Sequence, residues 1–407
     1  MDGRQQPARG ALGAIFLIVF LDLMGAGILV PVIPFIVRPH RADALTVGLL
    51  ALAFSAAQFV AAPFLGAWSD RRGRRPVLLG CLAGTAASYF LFGAAWSLPV
   101  LFAARLLSGF AGGSVTTAQA YIADISEPRD RAKNFGLIGA AFGLGFILGP
   151  ALGGALSRVS LSAPAYASGV LSLLTLAVAA TTLRETLPVE RRTARKVSWR
   201  DLNPLGQIGS ALGRPAFRGL ILATFALNFA MAGLQTNFPV FTHVRFGLDA
   251  SGNAVLFAFL GLMAAVTQGF LLRRLTKKTS ETRLAVAGSM LFAAGFAAAA
   301  AAGAVWMLYV SVALSALGYG LAAPALTGMI SRRAGADEQG ALLGTAQSAS
   351  SLTRIAGPVW AGAVFDHLGP GAPYWSGAVF SLAAAWWSWR SAQAASEARV
   401  EAAAAQR

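Results

Sequence analysis

Asp22 is the residue of this chain best placed to move a proton. It lies about eleven residues into an apolar run that begins near Ala11, roughly 16 Å deep if that run is a helix rising about 1.5 Å per residue. Of the seventeen acidic residues it alone sits well inside such a run. An ionised carboxylate at that depth costs at least ~2.5 kcal/mol in hydrocarbon, so burial favours its protonated form. A carboxylate that gains and loses a proton there suits coupling of proton movement to something else. Arg105 and Arg354 are the two cations inside apolar runs. Arg105 is the expected partner of Asp22: it would stabilise the ionised carboxylate, and protonation would release it. The alternative is a static buried pair that only fixes packing. Arg354 either lines a cavity or snorkels.

A second concentration of charge, Asp70, Arg71, Arg72, Arg74 and Arg75, surrounds Gly73 and follows Gly66. Gly73 permits a turn too tight for a side chain, and Asp70 can pair with an arginine or accept bonds at a helix N-terminus. Gly145, Gly149, Gly153 and Gly154, with Pro150, form a small-residue run that lets two helix backbones approach and that tolerates a kink. Polar residues within other apolar runs are Gln58, Gln119, Asn228, Gln235, Asn237, Gln268 and Gln347. Each either lines a central cavity or makes a helix-to-helix bond worth about 0.6 kcal/mol. Gln235 and Asn237 favour the cavity, because Pro239 beside them is expected to interrupt the helix. Cys81 stands alone and His40, His243 and His367 are scattered, so no disulfide, metal site, cofactor site or enzyme constellation is expected.

The elements that must position these groups follow from composition. The 407 residues are 56% hydrophobic and 12% charged, with mean hydropathy +0.62, against about 25% charged in soluble domains. A polytopic membrane protein is implied. Its apolar runs are twenty residues or more without strict alternation, which selects helices over a barrel. Twelve spans are expected, near 11-37, 46-69, 76-96, 98-122, 134-156, 164-184, 215-240, 250-273, 283-303, 305-331, 340-363 and 371-390. They divide into a six-helix half at 1-184, a cytoplasmic linker at 185-214, a second half at 215-390 and a tail of frayed helix at 391-407. No cleavable signal peptide is expected, since the first run is long enough to stay as a span.

The net charge of +16 is no sign of a nucleic-acid binder, because 27 of the 33 Lys and Arg residues fall at the termini and in the loops of one side, and only Arg38, Arg41, Arg158 and Arg245 in the opposite loops. That bias places both termini in the cytoplasm. An offset of 208 residues aligns Gly149-Pro150 with Gly357-Pro358, so two parallel six-helix repeats are expected. The Asp70 loop has only a degenerate basic counterpart around Arg273, Arg274, Lys277 and Lys278.

Three of these stretches together resemble motifs of the major facilitator superfamily: Asp70 to Arg75, Arg105-Leu106-Leu107-Ser108-Gly109, and Gly145 to Gly154. The third resembles the mark of its drug:proton antiporters. Leu21-Asp22, Pro31 to Pro34, Ala120 to Ile125 and Asn203-Pro204-Leu205 resemble the twelve-span tetracycline-resistance efflux branch. The resemblance implies an all-α major facilitator fold, a cytoplasmic latch at Gly66, Asp70, Arg71, Gly73, Arg74 and Arg75, and a leak-tight helix interface at Gly145, Gly149, Pro150, Gly153 and Gly154. It departs from that branch around Ser88-Tyr89 and Phe292-Ala293, where further acidic residues of the branch have no counterpart. That departure argues against tetracycline and against a metal-chelated substrate.

The expected function is proton-coupled efflux of an amphipathic small molecule by alternating access, with Asp22 and Arg105 in coupling and Arg354 among the cavity residues. One buried carboxylate points to one proton per cycle and a neutral or cationic cargo. The alternative is export or facilitated passage of a polar metabolite, such as a sugar or phosphorylated compound, or of a lipid. The expected partners are protons, the small molecule and the lipid of a bacterial inner membrane, with the chain acting as a monomer.

Overall fold

The computed structural model describes residues 6–37, 39, 43–126, 131–187, 208, 209, 211–333 and 339–405. Helices run through all twelve expected segments, and the described residues contain no strand. Eight helices are long and apolar enough to cross a membrane by length and composition: Ala11–Leu29, Ala44–Ala62, Arg74–Gly93, Ala163–Thr182, Pro215–Phe246, Ala250–Leu275, Glu281–Ala300 and Val305–Arg333. The chain folds into two compact units. One comprises Met1–Leu202 with Leu248–Gly261, the other Asn203–Gly247 with Leu262–Arg407.

The first unit begins with α1 (Gln6–Leu29) and a short α2 (Ile33–Val37). The expected continuous span at 11-37 is interrupted because Pro31 has no N–H to donate, and Val32 N bonds back to Leu29 O at 2.9 Å across the turn. α3 (Ala44–Arg72) is capped by Asp43, whose carboxylate accepts from Thr46 N at 3.0 Å. After Gly73 come α4 (Arg74–Gly93) and α5 (Leu98–Ala111). The span expected at 98-122 then breaks at Gly112-Gly113, and α6 (Ser114–Ile125) starts afresh. Gln58 of α3 donates to the freed Gly112 carbonyl at 3.1 Å. A side chain at Gly113 would strike Leu65, so the close passage of α3 selects glycine at the break. α7 (Arg131–Ser157) and α8 (Ala163–Thr182) complete this part. Ile15, Ile18, Val19 and Leu23 of α1 pack with Leu78, Leu82, Tyr121 and Ile122 in its core.

The second unit contains α9 (Pro215–Phe246). α10 (Ala250–Val266), which belongs to the first unit as far as Gly261, passes through a π turn, Thr267–Leu271, into α11 (Leu272–Leu275) of the second. α12 (Glu281–Ala300), α13 (Val305–Arg333), α14 (Gln339–Leu368) and α15 (Ala372–Ala405) follow. The expected interruption at Pro239 is absent: α9 runs on to Phe246. Thr242 Oγ1 donates to the carbonyls of Phe238 and Pro239 at 3.0 and 3.2 Å, and Gly247, at φ 68°, ends the helix. The helix continues past Arg390 as well, to Ala405. An aromatic core joins α9, α12 and α15, with Phe241 and Tyr374 ring centroids 4.3 Å apart and Phe292 and Phe296 4.8 Å apart.

Candidate functional site

Asp22 is partly buried on α1, and its Oδ2 accepts a 2.6 Å hydrogen bond from Ser114 Oγ. Ser114 is the first residue of α6, so the Gly112-Gly113 break is what sets an N-terminal helical turn against the carboxylate. Free N–H groups and the helix dipole at such an end favour a negative charge. Arg105 does not pair with Asp22 in this conformation, against the expectation from sequence. Its guanidinium lies 4.5 Å from the centroid of the Phe54 ring, and its Nε is buried without a hydrogen bond. The ring face supplies a weaker attraction than a carboxylate would.

The Gly73 loop is built on Arg74. Its guanidinium donates to Asp70, to Ser69 Oγ at 2.9 Å and to Asp124 Oδ2 at 3.0 Å. Glu185 accepts from Arg74 N at 2.8 Å and Arg75 N at 3.2 Å, capping α4 from beyond the end of α8. Gly73 has φ 106°, a conformation that side chains disfavour, and a Cβ there would run into the Glu185 carboxylate. Arg75 Nη2 bonds to Ala180 O at 2.7 Å. Asp124 and Glu185 were not among the expected loop partners; 50 and 111 residues separate them from Arg74. Gly66 faces open space, and Arg71 and Arg72 are exposed.

On α7, Gly145, Gly149 and Gly153 form one face against α1. A Cβ on Gly145 would lie 3.0 Å from Met24 N, and one on Gly149 2.7 Å from Met24 O and 2.8 Å from Gly27 Cα. Gly153 meets Ile28 and Gly154 meets Ala254. Pro150 is buried within the helix, which continues through it. This face therefore rides on the turns of α1 that directly follow Asp22.

In the second unit Asn237 is buried and donates to Ala361 O at 3.0 Å, tying α9 to α14. Asn228 Oδ1 accepts from Tyr319 OH at 2.9 Å, and Arg354 Nη2 donates to Ser351 Oγ at 2.9 Å. Gln347, Gln268 and Gln119 are exposed and Gln235 is partly buried. Gln58 is spent on the Gly112 carbonyl.

Apolar helices of membrane-spanning length, small-residue faces that let backbones touch, and a lone carboxylate among them define a membrane transporter of small molecules, not an enzyme. The chain belongs to the Major Facilitator Superfamily, whose family model matches residues 15–302 and 269–406. It is 35% identical over 361 residues to tetracycline resistance protein class C of Escherichia coli, covering 88% of this chain and 90% of that protein. Over 353 residues it is 27% identical to multidrug resistance protein 2 of Bacillus subtilis, covering 86% and 87%. The crystal structure of the human organic anion transporter MFSD10 superposes with a TM-score of 0.72 at 28% identity, covering 94% of this chain and all of that one.

Proposed function

We propose that this transporter exports an amphipathic small molecule in exchange for protons, with Asp22 as the carboxylate that carries them. The observation that carries the reading is the Ser114–Asp22 hydrogen bond of 2.6 Å at the start of α6, with no cation in ion-pair reach among the described residues. When ionised, Asp22 accepts from Ser114 and is favoured by the helix end. When protonated, it becomes a donor, the hydroxyl must turn, and the attraction to α6 falls. Protonation therefore alters how α1 is held against α6, one turn from the face that α1 shares with α7. Arg105, resting on Phe54, is a second cation that a moving α1 could engage. The names of the bacterial relatives support drug resistance as the biological setting, and the missing acidic residues near Ser88 and Phe292 direct the choice away from tetracycline. The chain works as a monomer in a bacterial cytoplasmic membrane, with residues 1-184 and 215-390 as its two halves and 185-214 joining them on the cytoplasmic side.

The test uses purified protein in proteoliposomes that enclose a pH-sensitive dye, screened with lipophilic ions, neutral antibiotics, sugars and lipids. Wild type is expected to move protons when substrate is added, and Asp22→Asn to lose that movement while retaining substrate counterflow. Undiminished proton movement in Asp22→Asn would falsify the role of Asp22. Counterflow without proton movement in either protein would mean a facilitator.

A further inference from the structure

The middle of α14 carries a cation for which proton coupling has no use. Arg354 stands at the centre of the 30-residue helix Gln339–Leu368, roughly 20 Å from either end at about 1.5 Å per residue. It is exposed, and among the described residues no carboxylate lies within ion-pair distance of it. One of its nitrogens donates to Ser351 Oγ; its other donors have no protein acceptor among the described hydrogen bonds. Gln347, Ser350, Ser351 and Arg354 recur at the i, i+3, i+4, i+7 spacing that aligns residues on one helical face. Further along α14, Gly357 meets Phe229 and Ala232 of α9, while Gln347 and Arg354 are exposed.

A polar stripe ending in an arginine cannot be turned to hydrocarbon cheaply, since the guanidinium alone costs about 2.5–3.5 kcal/mol at mid-membrane. It belongs on a water-filled cavity. Lipid headgroups do not reach that depth, so the anion that satisfies it must be one that enters the cavity. In the same unit Tyr319 of α13 is bonded to Asn228 of α9 and carries an aromatic surface, Phe292 being 5.6 Å away ring to ring. At the matching position of the first half, 208 residues earlier, stands Phe146, so the cation belongs to one repeat only.

We propose that Arg354, at the end of this polar stripe of α14, binds the carboxylate or sulfonate of an amphipathic aromatic anion that this transporter carries. A guanidinium fork fits an oxyanion with two parallel hydrogen bonds, which an ammonium cannot do. The proposal deepens the transport reading and rests on it. It also replaces the neutral or cationic cargo expected from the carboxylate count, which left Arg354 out of account.

The experiment measures binding by calorimetry to the full chain in phosphatidylcholine nanodiscs. The probes are 4-butylbenzoate, 4-butylbenzamide and 4-butylbenzyltrimethylammonium. Wild type is expected to bind the benzoate about tenfold more tightly than the amide, Arg354→Gln to abolish that preference while keeping amide affinity, and Arg354→Lys to reduce it severalfold. The site is disproved if wild type shows no preference for the benzoate, or if the preference survives unchanged in either variant. Should Arg354→Gln not fold, the wild-type and lysine measurements still decide. Counterflow of the same probes in proteoliposomes separates the two readings: binding without counterflow in wild type defeats transport and leaves the anion site standing.

Discussion

Arg74 holds together the loop that a simple charge count would treat as four equivalent arginines. Its guanidinium side chain is only 12% exposed and serves Asp70, Ser69 and Asp124 at once. Arg72, two residues away across Gly73, is exposed. If the arginines did no more than set membrane topology, either could be removed at similar cost. The geometry says otherwise, because removing Arg74 leaves Asp70 and Asp124 facing a vacated, half-buried site. Arg74→Ala is expected to destabilise the protein by about 1–3 kcal/mol, and Arg72→Ala by no more than about 0.5 kcal/mol. Thermal unfolding in detergent, followed by tryptophan fluorescence, makes the comparison; equal shifts for the two variants would return the loop to a purely topological role.

At the scale of elements, two devices position Asp22: the break between α5 and α6, and the glycine face of α7. The face predicts a sharp contrast between glycines of one helix. Gly149 has backbone of α1 at 2.7 and 2.8 Å from any added Cβ, whereas Gly143 has nothing within 4 Å. Backbone cannot rotate aside as a side-chain tip can. Gly149→Ala is therefore expected to cost about 1–3 kcal/mol and Gly143→Ala to be neutral or slightly stabilising. Denaturant titration in mixed micelles reads both, and a neutral Gly149→Ala would mean that α1 and α7 are free to separate. The small residues of this face were legible in the sequence, as were the helical segments, because burial in hydrocarbon writes itself into local composition. Ser114 and Glu185 were not. They act on Asp22 and Arg74 across 92 and 111 residues, and no local pattern encodes a partner that distant. Span four read as continuous because two glycines are tolerated in membrane helices; only the passage of α3 past Gly112 and Gly113 makes them a break. Pro239 misled in the other direction, since Thr242 and the surrounding packing keep α9 helical through it.

At the scale of the whole molecule, the two halves share an architecture but not their charges. Gly357 packs on Phe229 and Ala232 of α9 much as Gly149 packs on α1, so the repeat survives in the backbone. The position matching Asp22 is Ala230 and the position matching Arg354 is Phe146. On the proposed reading, proton carriage and anion binding are divided between the repeats. Which loops face the cytoplasm is set by how the chain is inserted. The loop charges predict that insertion: the α11–α12 turn, with Lys277 and Lys278, lies in the cytoplasm, and the α7–α8 turn, with Ser160, lies outside. Cys81, the only cysteine of the chain, is 3% exposed, so an impermeant maleimide will report an introduced thiol against a silent background. In intact cells Ser160→Cys is expected to be labelled, Lys277→Cys to be labelled only after the membrane is opened, and wild type to stay unlabelled in both. The reverse pattern would invert the molecule. Efflux would remain the activity to seek, because antiport against inward proton flow expels the cargo whichever way the chain is inserted; only the placement of the Gly73 loop and both termini in the cytoplasm would fall.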